Sequence, residues 1–556
     1  MNPHACLTNP LASTKCAIRL LMALAAITGI LLLASCSSST PPPPNQEGFG
    51  LGDVNGTYVF SSLGADSTTG DLLALAGAFV ANGTGSIKGG TMDVMAPGLD
   101  VVDTNQTITS GSYSVSTDGR GQVTLTSAAG TFAFAFVLTS VSNGVSSHGL
   151  LSEFDGNGSG SGTLDLQTAV TSLSQLANPY AFTISGQTGT LSNTASAGAF
   201  TLNSSGTITA GTGIQDLNAS GITYSAMAVT GGATLGSGTG PGSLTLTSSS
   251  FALTFDYYPI DATHFKLVET DGSEFLAGDA FIQTGASIPN GAMVFTMGGG
   301  ITAPVAVGGL MNSDGTGNFS SGLEDVNDAG TLSPAQLSFS GTAAGPASTG
   351  GRVAVNLTGF IPATPSGPSL WAIYPSGGGL LLLEMDSANV TQGVGYAQTA
   401  TSFSAACLEC GGTPSSPVGY GLNLSGYNLQ APFEVDDIAQ FDATTGTSNN
   451  MTGILEENDE GVNQVSATTL TGTYTPDSPA TGRGSILVPS LKTPLGGLTL
   501  EYYVVDSSTV VFIEVDSLQV SAGIFEEQSS AQSGAALSHM ALVHPAFRPH
   551  AALRRK

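Results

Sequence analysis

Hydrophobic and polar residues alternate over short stretches along most of this chain. Runs rich in Val, Thr, Phe and Leu are interrupted about every ten residues by Gly, Asn, Asp and Ser, and no stretch after residue 36 keeps a 3.6-residue period. This pattern is typical of antiparallel strands joined by hairpins. Turn sequences such as Asn82-Gly83 and Asp314-Gly315 allow the positive φ of tight hairpins. We therefore predict an all-β protein.

The most informative feature is a fourfold internal repeat. Each copy ends with Glu-x-Asp, then Gly, then Gln, and the spacing from Glu to Gln is 14 residues in every copy. A strict spacing in all copies indicates one structural unit used four times. The closing signatures are Glu153/Asp155/Gly162/Gln167, Glu269/Asp271/Gly278/Gln283, Glu384/Asp386/Gly393/Gln398 and Glu514/Asp516/Gly523/Gln528.

Two further signatures recur earlier in each copy. One is a small-residue step before an apolar strand, followed by Gly-x-x-Asp-x-Asn, and the other is GRGQVTL at 119–125 with its variants GPGSLTL, GGRVAVNL and GRGSILV. The Gly-x-x-Asp-x-Asn signature is complete in two copies and altered in the others. It reads Gly213/Asp216/Asn218, Gly322/Asp325/Asn327 and Gly453/Glu456/Asn458, whereas Asp93 in the first copy is followed by Met95.

Each copy spans about 110 residues, which is enough for about eight strands in hairpin-connected order. A meander of this length must dispose of its edge strands, and closing into a barrel removes them. We predict four up-and-down β-barrels, with a two-sheet β-sandwich as the alternative. The predicted segments are 1–35 (signal peptide), 36–53 (lipidated Cys and Pro-rich tether), 54–168, 177–285, 288–400 and 417–530 (four β units), and 531–556 (basic tail).

The N-terminus has the features of an export signal. Lys15 and Arg19 precede an apolar run over 20–34, which is too short for a stable membrane span. The run ends in Leu-Ala-Ser-Cys36, which resembles the bacterial lipobox, so Cys36 is the expected lipid-attachment residue. No Asp follows Cys36, and by analogy with Gram-negative lipoproteins this favours the outer membrane. The Pro-rich segment that follows is typical of an extended tether.

The succession of AGxF, a DGxG turn and GxxDxN resembles the tandem-repeat envelope lipoproteins encoded by acidobacteria-type genomes. The resemblance covers most of the mature chain. It implies a cell-envelope setting and no defined activity, because that group carries no assigned catalytic residues.

The repeated Glu-x-Asp pairs are the first candidates for chemistry. Residues i and i+2 of a strand share a face, so each pair directs two carboxylates the same way near a turn. One interpretation is a Ca²⁺ site, because hard cations take carboxylate oxygens. The other is structural, with Asp accepting backbone N–H groups at the turn. We favour the structural interpretation for Glu153, Asp155, Glu269, Asp271, Glu384, Asp386, Glu514 and Asp516, and predict no cofactor.

Other candidates for catalysis are sparse. Cys407 and Cys410 are predicted to form a small disulfide ring in an oxidising envelope. No Ser lies in a Gly-x-Ser-x-Gly motif. The mature chain before residue 536 contains two histidines, His148 and His264, at positions that we take to be non-equivalent strand positions. We therefore predict that the protein is not an enzyme.

The charge is strongly asymmetric. The chain has 12 Lys and Arg against 40 Asp and Glu, a formal net charge of −28, and charged residues make up 9%. Clustered Lys and Arg are needed to bind nucleic acid, so that partner is excluded. We interpret the acids as a soluble, mutually repelling surface. The basic tail 539–556 is either a docking segment or a disordered terminus.

These features favour an envelope-anchored structural or adhesive binding protein whose partners are the membrane, through its lipid, and an unidentified envelope component. A lipocalin-like carrier of a small hydrophobic ligand is the alternative, and a secreted hydrolase a remote one. Barrels filled by Phe and Leu side chains favour the first, whereas an empty lumen of several hundred Å³ favours the carrier.

Overall fold

A computed structural model describes most of the mature chain. The predicted lipid-attachment residue Cys36, the predicted disulfide residues Cys407 and Cys410, and the basic tail lie outside the described residues. Those described are 48–528 except 143, 273, 284, 286, 334–335, 362–368, 378, 400–407, 409–417, 431–432, 445–448, 479 and 490–496.

The first two copies fold as two antiparallel meanders, barrel 1 and barrel 2. In barrel 2 all consecutive strands are hydrogen-bonded neighbours, and in barrel 1 the same holds except between the fourth and fifth strands, which are the two edges of the sheet. In both, the last strand pairs with the first. Barrel 1 contains β1 (Asn55–Asp66), β2 (Leu72–Asn82), β3 (Ile87–Ala96), β4 (Val101–Ile108), β5 (Ser110–Val115), β6 (Arg120–Thr126), β7 (Thr131–Ser142), β8 (Val145–Glu153) and β9 (Gly158–Leu166). Barrel 2 contains β10 (Pro179–Thr188), β11 (Asn193–Thr201), β12 (Gly213–Ala219), β13 (Ile222–Thr234), β14 (Gly242–Thr247), β15 (Ala252–Pro259), β16 (His264–Glu269) and β17 (Glu274–Ile282).

Barrels 3 and 4 repeat the arrangement. Barrel 3 contains β18 (Asn290–Gly299), β19 (Val305–Asp314), β20 (Phe319–Asp328), β21 (Thr331–Leu332), β22 (Leu337–Ala343), β23 (Val353–Thr358), β24 (Ser369–Ser376), β25 (Gly379–Glu384) and β26 (Thr391–Ala397). Barrel 4 contains β27 (Val418–Asn428), β28 (Glu434–Thr444), β29 (Asn450–Asp459), β30 (Asn463–Pro476), β31 (Arg483–Val488), β32 (Leu498–Val504), β33 (Thr509–Glu514) and β34 (Gln519–Glu527).

The prediction of an all-β chain of four up-and-down units is confirmed: three close as barrels, the first is a curled and incompletely closed one, and none is a two-sheet sandwich. Barrels 2 and 4 close fully, and barrel 3 closes through the pairing of β19 with β20. In barrel 1 the sheet curls until its outermost strands, β4 and β5, adjoin in the chain at Thr109. Three short 3₁₀ turns are the only helical elements within the described ranges, at Leu51–Asp53, Pro97–Leu99 and Thr349–Gly351. No helix among these residues is long and apolar enough to cross a membrane.

Each barrel lumen is filled by its own apolar side chains. Tyr58, Phe60 and Phe134 pack inside barrel 1, and equivalent aromatic and aliphatic residues fill barrels 2 and 4. The single Trp of the chain, Trp371, lies fully buried in barrel 3 against Phe360, with ring centroids 4.9 Å apart. Alternating inward residues of closed sheets are expected to meet in this way when a barrel is small. The lumens are therefore packed cores.

The order of the strands gives every barrel two distinct ends. The first strand begins, and the last strand finishes, at one end, which we call the base end. The Glu-x-Asp turn joins the last two strands at the opposite end, which we call the far end.

Phe49, before the first strand, and Gln528, after the last strand, both bond one hairpin turn of barrel 1. The backbone N–H of Phe49 donates to the carbonyl of Thr117 at 3.1 Å, and the side chain of Gln528 donates to the carbonyl of Asp118 at 2.9 Å.

Candidate functional site: the joints between barrels

The four barrels contact one another in a cycle, and the repeated signature residues lie at the contacts. The early strands of each barrel pack against the late strands of the next, and barrel 4 packs in the same way against barrel 1. We name these contacts joints 1–2, 2–3, 3–4 and 4–1. Head-to-tail contacts of this kind form a closed ring when the rotation returns to its start.

At the far end, the Asn of the Gly-x-x-Asp-x-Asn signature clamps the next barrel. The side-chain amide of Asn218 donates to the carbonyls of Glu384, Asp386 and Asn389 at 2.8–3.1 Å, so it holds the whole Glu-x-Asp turn. Asn327 and Asn458 do the same in joints 3–4 and 4–1. Their acceptors are Glu514, Asp516 and Gln519 for Asn327, and Glu153 and Gly158 for Asn458.

The backbone beside each clamp is shaped to hold the Asn in place. The Oδ1 atom of Asn218 accepts the N–H of Gly221 at 2.9 Å, which fixes the amide orientation. Gly221 has φ of +87°, a conformation that favours glycine because a Cβ would be strained there. The same bond joins Gly330 to Asn327 at 3.0 Å. This local turn explains why the Asn is followed by Gly three residues later.

At the base end, the Gln that closes each repeat forms a second clamp. Gln167 donates to the carbonyl of Pro259 in barrel 2 at 2.7 Å, and this bond recurs in every joint. The other three Gln residues each have two such acceptors. They are Pro375 and Gly350 for Gln283, Val504 and Thr481 for Gln398, and Leu138 and Asp118 for Gln528.

Between the two clamps, the signature acid meets an arginine of the next barrel. In joint 2–3 the fully buried Asp216 accepts hydrogen bonds from Arg352 Nε and Nη2 and from the hydroxyl of Tyr374. In joint 3–4 Asp325 pairs in the same way with Arg483, at 2.7 and 2.9 Å, and with Tyr503. Bidentate pairs of this kind are among the stronger polar contacts in proteins.

The corresponding pair in joint 4–1 is looser, but that joint contains a buried charged cluster of its own. Glu456 lies 3.7 Å from Arg120, which is partly exposed. Nearby, His148 contacts Asp165 at 2.6 Å and Glu526 of barrel 4 at 3.1 Å. Burial alone lowers the pKa of His148, but the two carboxylates outweigh it and raise the pKa to about 10. The imidazole is therefore a buried cation that links barrel 1 to barrel 4.

Joint 1–2 differs from the other three. Met95 takes the place of the clamping Asn, and it packs in an apolar cluster with Tyr258 and Val268. Asp93 is the signature acid, and burial, the largest cause, raises its pKa to about 7. The strand register places Pro241 where the other joints have Arg, because Gly242 pairs with Tyr257.

In each Glu-x-Asp pair, the Glu is buried inside the barrel and the Asp binds the backbone of the turn. Each Glu is buried at the far end of its barrel, and burial raises the pKa values of Glu153, Glu384 and Glu514 well above the usual range. Each Asp accepts backbone N–H groups around the turn. The donors are Ala133 and Asn157 for Asp155, Thr254 for Asp271, Ala388 for Asp386 and Leu518 for Asp516.

The individual Glu carboxylates have different neighbours. Glu384 accepts a hydrogen bond from Thr391 at 2.6 Å, Glu269 accepts the N–H of Glu274 at 3.1 Å, and Ser521 donates to Glu514. In the part of the chain that the structure describes, no three His, Cys, Asp or Glu side chains are arranged to hold a metal ion.

Two expectations from the sequence need correction. Nineteen of the 40 acids are buried, many of them in the joints, so nearly half of the acidic side chains do not belong to the surface. The two histidines occupy the same repeat position, five residues before Glu153 and Glu269, and His264 contacts Asp279 at 2.6 Å. Spacing from the Glu would have revealed this equivalence.

No family model and no curated protein matches the chain. Among solved structures, it is similar to transferrin-binding protein B of Haemophilus parasuis Hp5, with 11% identity and a TM-score of 0.19 over 69% of this chain and 83% of that one. The corresponding protein of serogroup B Neisseria meningitidis gives 12%, 0.21, 68% and 83%. Intact Ap-TbpB, with N and C lobes, gives 10%, 0.18, 89% and 98%. Likenesses of this size carry no conclusion about this chain's fold or function.

Proposed function

We propose that this chain is a lipid-anchored scaffold of the bacterial cell envelope with a structural or adhesive binding role and no catalytic activity. The observation that carries the proposal is that the repeated polar residues bind the next barrel. The Asn and Gln clamps and the buried Asp–Arg pairs are used to fix four barrels in one ring. Residues committed to such contacts are not free to turn over a substrate.

The packed lumens support the scaffold over the lipocalin-like carrier. A carrier needs an internal space for its ligand, whereas the interior of each barrel here is occupied by aromatic and aliphatic side chains. The resemblance to tandem-repeat envelope lipoproteins supports the same setting, and the outer membrane is the proposed location.

Fractionation of the full chain in its own host tests the anchor. Replacing Cys36 by Ala should move the protein from the membrane fraction to the soluble fraction, because the acyl chains supply the membrane affinity. Cys16→Ala, in the predicted signal segment, is the matched control and should leave the distribution unchanged. Membrane retention of the Cys36→Ala protein would contradict the proposed anchor.

The binding role is tested by adding the soluble Cys36→Ala protein to isolated envelopes that lack the chain. We expect saturable binding that survives mild salt, and extraction of the purified protein with organic solvent should release no stoichiometric lipid. A protein that carries one lipid per barrel and does not bind envelopes would favour the carrier instead.

A further inference from the structure

Joint 1–2 keeps the acid of the other joints and lacks its cationic partner. Asp216 binds Arg352, which immediately precedes β23, and Asp325 binds Arg483, the first residue of β31. In barrel 2 this position is Pro241, since the pairing of Gly242 with Tyr257 places Pro241 opposite Tyr258. Tyr258 itself corresponds to Tyr374, which binds Asp216. The acid and the tyrosine are retained, and only the guanidinium is missing.

One carboxyl oxygen of Asp93 has no hydrogen-bond donor at normal distance among the described residues. Asp93 is 1% exposed, and its Oδ1 atom accepts the backbone N–H of Asn105, as Oδ1 of Asp216 accepts that of Ala226. No donor among the described residues lies within normal hydrogen-bond distance of its Oδ2 atom, and the hydroxyl of Tyr258 makes only a weak, longer side-chain interaction with Asp93. In joint 2–3 the corresponding Oδ2 binds Arg352. A buried carboxylate oxygen without a donor is costly, so this site lacks a cationic N–H group.

A cavity of about 240 Å³ lies beside this position. Tyr257 and Tyr258 form one wall, and Tyr258 also interacts with Asp93, which is not itself part of the lining. The remaining walls come from the linker after barrel 1 (169–171) and the glycine-rich loop at 235–240. Ala169 and residues 236–238 are exposed, so the cavity lies next to solvent. Its size suits a small alkyl chain, and tyrosine rings attract organic cations.

We propose that joint 1–2 binds a small alkyl cation, an alkylguanidinium or primary alkylammonium group, whose N–H donors bind Asp93 and whose alkyl part occupies the cavity beside Tyr257 and Tyr258. The ligand replaces the arginine that the other joints contain. It is either a free amine or the side chain of a Lys or Arg from another protein. This inference does not rest on the proposed scaffold function.

The charge state of Asp93 gives the site a defined pH dependence. The other ionisable groups facing it from barrel 2 are Asp256 and Tyr258, and Lys266 in the same joint is paired with Asp279 at 2.8 Å. Burial raises the pKa of Asp93 to about 7, so a proton and the cation compete for the carboxylate. Affinity should therefore rise about tenfold from pH 6 to pH 8.

Calorimetric titration of the soluble Cys36→Ala protein with butylguanidinium and with butylammonium tests the proposal. We expect one site per chain for either cation at pH 8 and about tenfold weaker binding at pH 6. An acetylated arginine amide and a short Arg-containing peptide form the second arm. If these bind and the alkyl cations do not, the source is a protein side chain; the reverse result indicates a free amine. No binding by any of them at pH 8 would overturn the proposal.

Three variants separate the site from non-specific attraction to an acidic protein. Asp93→Asn should reduce affinity at least tenfold, and Pro241→Arg should abolish binding and raise the melting temperature of the ligand-free protein, because its own guanidinium fills the site. Tyr258→Phe keeps the packing and should weaken binding by a smaller factor. Asp103→Asn, a carboxylate of β4 outside the joint, is the control. Unchanged affinity in Asp93→Asn and Pro241→Arg would overturn the assignment.

Discussion

Joint 1–2 and joint 4–1 hold equivalent surfaces together with different side chains. Barrels 1 and 2 are neighbours in the chain, and their joint has lost the Asn clamp and the Arg, retaining an apolar contact and Gln167. Barrels 4 and 1 have no linker between them, and their joint keeps Asn458 and adds the His148 cluster. A linker holds two barrels at high effective concentration, but it does not by itself remove the polar contacts. Joints 2–3 and 3–4 also connect barrels that are neighbours in the chain, and both keep the Asn clamp and the Arg pair.

The largest effect should come from removing an arginine of a bidentate joint. Arg352→Ala leaves the fully buried Asp216 without its cation, and breaking a buried pair in this way costs about 3–5 kcal/mol. Urea denaturation measures the change in the free energy of unfolding. Arg120→Ala is the matched control, because Arg120 lies 3.7 Å from Glu456 and is partly exposed; it should cost less than about 1 kcal/mol. Equal losses would show that the two joints do not differ as described.

The buried His148 makes joint 4–1 sensitive to alkaline pH. Its pKa of about 10 in the folded protein lies above the ordinary value of 6.5, so the protonated ring stabilises the fold fully below pH 6.5 and progressively less as pH rises towards 10. The free energy of unfolding should fall by about 2–4 kcal/mol over this interval in the wild type. His148→Gln should flatten the profile. A profile that is unchanged by the substitution would refute a charged His148.

Removing the far-end clamp of joint 4–1 should have an intermediate effect. Asn458→Ala deletes two hydrogen bonds and leaves the buried carbonyls of Glu153 and Gly158 without these donors, a loss of about 2 kcal/mol. Hydrogen exchange of the amides at 153–158 should accelerate. Asn290→Ala, an exposed residue with one long hydrogen bond of 3.4 Å, is the control and should change neither quantity. Acceleration in both variants would argue against a specific clamp.

The smallest effect should come from adding the missing clamp to joint 1–2. Met95→Asn loses apolar burial but can bond the turn at Glu269–Glu274, so the net change in stability should remain within about 1 kcal/mol. The informative measurement is hydrogen exchange at residues 269–274, which should slow as the turn gains a donor. Met95→Leu keeps the apolar packing and should not slow it. Equal exchange in the two variants would show that the clamp geometry does not transfer to this joint.

The fold followed from local patterns, whereas the joints did not. Strand alternation and turn residues act over a few positions, which is why the four barrels could be predicted. Asn458 and its acceptor Glu153 are 305 residues apart, and spacing alone does not identify such a partner. The recurrence of Asn, Gln and Asp indicated that these residues have the same structural role in each copy. The two altered copies indicated which joints are built differently. The substitution of Pro241 for Arg was visible in the sequence, but its consequence for Asp93 required the cross-barrel contact.

Phe49, before barrel 1, and Gln528, at the end of barrel 4, both bond the hairpin around Thr117 and Asp118, so the first and last strands of the four-barrel body start and finish close together. Gene order then matters less than cyclic order. A circular permutant that joins residue 528 to residue 49 by a flexible peptide and opens the chain between barrels 2 and 3 should assemble the same four-barrel body, because every joint would find the same partner. Duplication and recombination of whole repeats could thus rearrange such genes while the assembled particle stays the same.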